Sequence, residues 1–121
     1  MQRLWMVLGA IAGFGAVAMA AVAAHAVHDP GAQRVVESGV RMEGWHALAL
    51  IGVGLWAPRG GRVTDLAGAA FAVGMVMFCA AVYSLGLFGT SLGVVAPLGG
   101  TVLMLGWLLL AVAALRPAPA R

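Results

Sequence analysis

Glu43 and His46 stand three residues apart in "EGWHALAL" (Glu43 to Leu50), where the chain turns apolar. On a helix that spacing lets a carboxylate and an imidazole share one face. Ionisable groups inside a membrane are candidates for proton or small-molecule passage, and imidazole also suits a metal or haem iron. His25 and Tyr83 complete the candidate site His25, Glu43, His46 and Tyr83, with His28, Asp29, Thr90 and Ser91 expected on the same side. The competing use is structural: the two histidines cap or cross-link helices by hydrogen bonding, while Glu43 and Tyr83 sit at headgroup level. Histidines at positions 25 and 46 form no ligand motif. No serine–histidine–acid arrangement, phosphate loop or paired-carboxylate pattern appears, so the chain reads as a non-enzyme with no catalytic residue, metal or cofactor assigned.

The elements that must position these groups follow from composition. Of 121 residues, 63% are hydrophobic and 9% charged. A soluble domain carries charge on about a quarter of its residues, so the class is a multi-pass membrane protein. The formal charge of +3 comes from arginines without a single lysine. In a membrane chain such charge reports topology rather than nucleic acid, so the bilayer is the partner to expect and nucleic acid is not. Cys79, the lone cysteine, lies in an apolar run and reads as a small packing residue.

Spans are expected at about 4–26, 40–57, 65–88 and 94–115, forming one four-helix transmembrane domain over 1–121. The first run exceeds the roughly 7–15 residues of a signal-peptide core, so it reads as a retained helix. "HDPG" and "GTSLG" read as turns, "PRGGR" (Pro58 to Arg62) as a loop, and Thr64 or Asp65 as an N-cap. The apolar stretch from Gly44 to Ala57 is too short to cross alone, so its helix begins upstream and carries Glu43 to the interface. An inside N-terminus groups Arg3, Arg59, Arg62, Arg116 and Arg121 on the cytoplasmic side against Arg34 and Arg41 outside, which predicts an N-in/C-in bundle. Trp5, Trp45, Trp56 and Tyr83 then fall in interfacial belts, whereas Trp107 lies about 13 Å from Arg116, inside the membrane.

Gly9, Gly13, Ala16 and Ala20 recur at helical spacing and form a close-packing face, toward a helix of the same chain or of another protomer. In "PLGG", Pro97 falls in the first turn of the last span, where a proline is harmless. Gly99 and Gly100 permit close approach; the functional alternative is a broken helix that exposes backbone groups to a ligand.

"AAHAV", "VRMEGWHALAL", "MFCAAVYSLGLFGT" and "APLGGTVLMLGWLLLA" occur in the order seen in the domain-of-unknown-function 423 family of small bacterial membrane proteins, which the chain resembles over nearly its whole length. Eukaryotic transmembrane protein 256 is similar. The resemblance implies a compact multi-pass bundle and points to His25, His46, Tyr83, Pro97, Gly99, Gly100, Gly106 and Trp107, without supplying an activity. This chain departs from the pattern at Ala23, Ala24, Ala80, Ala81 and Ala96, and at Gly44–Trp45. The expectation is a structural, assembly or accessory protein of the bacterial inner membrane, in a homo-oligomer or larger membrane complex. The alternative is a small channel, carrier or metal- or haem-binding module built on His25, Glu43 and His46.

Overall fold

The computed structural model describes residues 1–117, so Arg121 lies outside the described residues. Three helices account for almost all of it: α1 (Gln2–His25), α2 (Pro30–Phe88) and α3 (Val95–Leu115). All three are long and apolar enough to cross a membrane.

The turns form where local chemistry demands them. Pro30 disfavours helical backbone at Asp29, which sits at φ −72° and ψ 123°. Asp29 then accepts a 2.8 Å hydrogen bond from the Ala32 amide, and Pro30 opens α2, so the helix starts with a side-chain cap and a preset φ. The Gln33 side-chain amide donates to the Ala23 carbonyl at 2.9 Å, tying the start of α2 to the end of α1. At the far end Gly89 takes φ 68°, and the Thr90 amide donates to the Ser84 carbonyl six residues back. Pro97 lies in the first turn of α3, where its missing N–H costs nothing.

A straight helix of 59 residues would run about 90 Å, three times the thickness of a hydrocarbon core. α2 instead folds back at Gly61, whose φ of 62° and ψ of −152° leave helical space. Close approaches between Val36 and Gly86, and between Gly39 and Tyr83, lie equally far on either side of that residue. The first arm (30–60) and second arm (62–88) therefore form an antiparallel hairpin. α1 and α3 each pack against this hairpin, and among the described residues their backbones do not approach one another closely. The core is built mainly of small and branched side chains around Leu50, Val53, Ala67, Phe71 and Leu103.

This architecture corrects the expected four-helix bundle. Among the described residues there are three helices, and the segments expected as separate spans at 40–57 and 65–88 are arms of one. "PRGGR" is helical except at Gly61, and no helix restarts at Thr64 or Asp65. The physical reason is that one glycine with positive φ reverses the chain without any loop residues. Near this bend Arg59, Arg62 and Arg116 line a hollow of about 420 Å³, and Met1 and Arg62 both line a second one.

Candidate functional site

Two polar cross-links leave the first arm one turn apart. His46 is 2% exposed, with Nδ1 2.6 Å from the Met42 carbonyl oxygen and Nε2 3.1 Å from the Trp107 indole nitrogen. Indole N–H can only donate, so Nε2 accepts from it and Nδ1–H donates to Met42. The geometry thus selects one neutral tautomer. Phe71 of the second arm completes the cluster, its ring centroid 5.6 Å from His46 and 4.9 Å from Trp107. α3 can come this close because Gly106 packs on Phe71: a Cβ there would lie 2.8 Å from two ring carbons.

Glu43 points elsewhere. Its Oε1 accepts a 2.7 Å hydrogen bond from the Tyr83 hydroxyl. Tyr83 reaches it because Gly39, one turn earlier on the first arm, lacks the Cβ that would collide with the Tyr83 ring. The Cys79 thiol donates to the Gly39 carbonyl at 3.6 Å, a weak sulfur bond on the same seam. Oε2 of Glu43 faces Gly15 of α1, and the carboxylate lines a groove of about 380 Å³ between α1 and the second arm. Gly15 lies 13 residues into a 24-residue helix, about 20 Å along it. Glu43 therefore sits at mid-bundle depth rather than at the entrance of its helix. Counting depth from Gly44, where the apolar run begins, misplaces it, because the first arm already starts at Pro30.

His25 is not part of this cluster. It is the exposed last residue of α1, about 18 Å along the helix from Gly13, which faces Ala47 beside His46. Among the described residues no three His, Cys, Asp or Glu side chains converge to hold a metal ion. Pro97 and Gly100 lie in the first two turns of α3, and Gly100 has open space around its missing Cβ. Gly99 packs against the second arm, where a Cβ would lie 2.7 Å from the Phe78 amide nitrogen and 3.0 Å from the Gly74 carbonyl. Gly9 is turned inward, with the Ala47 carbonyl 2.8 Å from its Cβ position.

One polar contact escaped sequence reasoning. The Trp5 indole donates to Asp65 at 2.7 Å and packs on Gly68, so Trp5 is a core residue rather than an interfacial anchor. No local pattern links residues sixty apart. At the bend, Trp56 Nε1 and Thr64 Oγ1 are buried without a hydrogen-bond partner among the described residues, and both flank Gly60.

Residues 19–100 match the family described as "Protein of unknown function (DUF423)". The UPF0382 membrane protein of Haemophilus influenzae is 29% identical over 92% of this chain and 93% of its own length. The UPF0382 membrane protein YwdK of Bacillus subtilis is 31% identical, covering 95% and 98%. The UPF0382 inner membrane protein YgdD of Escherichia coli is 31% identical, covering 95% and 92%. No solved structure matches the chain.

Proposed function

The chain belongs to the DUF423 family and is a multi-pass protein of the bacterial inner membrane, and we propose that it acts there as a non-enzymatic structural, assembly or accessory component. The observation that supports this most is the commitment of His46. Both ring nitrogens are engaged inside the protein, and the side chain is shut away from lipid and water. An imidazole that relays protons or ligates a metal needs a nitrogen it can release. Here freeing Nε2 means separating the first arm from Trp107 of α3, and Nδ1 is held by the first arm's own Met42 carbonyl. The carrier or channel reading narrows accordingly to Glu43.

Outward surfaces support the same reading. Trp45, Leu48, Gly52 and Leu55 form an exposed apolar stripe on the first arm, and nothing lies within 4 Å of a Cβ at Gly52. Such a stripe suits another membrane helix, whereas Gly9 and Gly13 are used within the chain. The test is the particle mass of the tagged full chain, expressed at native level and extracted in mild detergent. We expect an oligomer or larger complex that Gly52→Trp reduces to the single chain. A single chain from both proteins, together with proton flux in proteoliposomes that depends on His46, would refute the proposal.

A further inference from the structure

The groove beside Glu43 has the properties of a binding site. Its lining includes Ile11, Phe14 and Gly15 of α1, Met75 and Val76 of the second arm, and Glu43 of the first. Ile11, Phe14 and Val76 are among the most exposed apolar residues of the chain, at 62%, 79% and 64%. In a bilayer those residues face hydrocarbon, so the groove opens sideways to solutes dissolved in the membrane, at the depth of Gly15.

Among the described residues that line it, only Glu43 can offer a ligand a carboxylate. Glu43 has a single hydrogen-bond partner among the described residues, Tyr83, and that bond engages Oε1 alone. Oε2 has no hydrogen-bond partner among the described residues and lies against Gly15, which itself lines the groove. From α1 the groove receives only apolar residues and Gly15. From the second arm the groove receives Cys79, whose thiol is turned to the Gly39 carbonyl, beside apolar residues, while Tyr83 meets Glu43 from outside the lining. His46, one turn along, is bound to Trp107 and Met42. Among the described residues no arginine, the only permanently cationic side-chain type in the sequence, lines the groove. A carboxylate at such depth ordinarily pairs with an opposite charge, and this one has none within the described residues.

We propose that the groove is a binding site for lipophilic organic cations, with Glu43 Oε2 as their counter-ion. An apolar body suits the walls, and a delocalised positive charge satisfies the carboxylate without needing water. The site does not depend on the accessory reading above: a scaffold protein can carry it, and its loss leaves that reading standing.

Equilibrium dialysis of radiolabelled tetraphenylphosphonium against the purified full chain in detergent tests the assignment. Saturable binding of one cation per chain is expected, weakened at least about tenfold in Glu43→Gln, which keeps the Tyr83 acceptor but removes the charge. Val76→Trp, on an exposed wall, should weaken binding by a similar factor while leaving the melting temperature unchanged. Triphenylphosphine oxide, neutral and of similar shape, should fail to compete. Absence of saturable binding to the native chain overturns the proposal, as does binding that survives Glu43→Gln. Loss in Glu43→Gln with full binding in Val76→Trp overturns the groove as the location. Should Glu43→Gln not fold, the other two arms decide: equal competition by the neutral analogue, or unaltered binding in Val76→Trp, overturns it.

Discussion

Trp107→Phe isolates the bond that carries the structural reading of His46. The substitution keeps a six-membered aromatic ring near Phe71, whose centroid lies 4.9 Å from the native indole, but deletes the donor to Nε2. His46 is 2% exposed, so neither water nor a lipid headgroup can replace that donor. Leaving a buried acceptor unpaired costs about 1–3 kcal/mol in soluble proteins, while hydrogen bonds between membrane helices average about 0.6 and reach about 1.7 kcal/mol. Burial places this bond in the upper part of the membrane range, so a loss of about 1–2 kcal/mol is expected. His46→Leu should cost a similar amount by removing the other partner. The double variant should be less unstable than the singles added together, by about 1 kcal/mol, since it leaves neither the Nε2 acceptor nor the indole donor orphaned. Steric trapping in mixed micelles measures all four free energies. If the two single losses add in the double variant to within about 0.5 kcal/mol, the bond contributes nothing and the argument fails. Nitrogen-15 spectra of labelled histidine provide an independent check, because the geometry requires the proton on Nδ1.

The glycines give a graded set of expectations. Gly74→Ala should destabilise by about 1–3 kcal/mol, since its Cβ would lie 2.9 Å from both the Gly99 carbonyl and the Leu103 amide. Gly52→Ala, with nothing within 4 Å, should be neutral or stabilising by up to about 1 kcal/mol through helix propensity; parallel denaturant titrations compare the two. Gly61→Ala places a Cβ on a backbone at φ 62° and ψ −152° and should cost about 1–3 kcal/mol. A native-like thermal melt there would show that the bend does not depend on glycine. Trp5→Phe leaves the Asp65 acceptor without its indole and should cost about 1–2 kcal/mol. Asp65→Asn keeps an acceptor oxygen and should cost less; equal losses in the two melts would contradict the bond.

Much of the helix pattern is legible in the sequence, because long apolar runs and proline–glycine punctuation act locally. α1 and α3 end within two residues of the expected boundaries. The bend is not legible there, for an equally physical reason. A stretch with Pro58, Gly60 and Gly61 has the composition of a loop, yet only Gly61 departs from helical backbone. The candidate residues were legible as types but not as partners. Tyr83 meets Glu43 and Trp107 meets His46 across separations of 40 and 61 residues, and periodicity within one helix carries no information about which face of another it will meet.

The depth of Glu43 shows what kind of information was missing. An acidic residue just before an apolar run looks interfacial if hydropathy alone sets the boundary. In the fold, its position is set by residues that have no side chain. Gly39 clears the space through which the Tyr83 ring reaches the carboxylate, and Gly15 clears the space that Oε2 faces. A Cβ at Gly39 would lie 2.7 Å from Val82 and within 3.0 Å of the Tyr83 ring, forcing the two arms apart where the hydroxyl must reach across. The polar group and the glycines that admit it are thus one construction: Gly39→Ala should break the Tyr83–Glu43 bond without touching either partner. Restoring space by Tyr83→Ala in the Gly39→Ala background should relieve the steric part of the damage but not the loss of the hydrogen bond. Stability that recovers fully in that double variant would mean the glycine serves packing alone, and that the tyrosine's bond has no part in holding Glu43 at this depth.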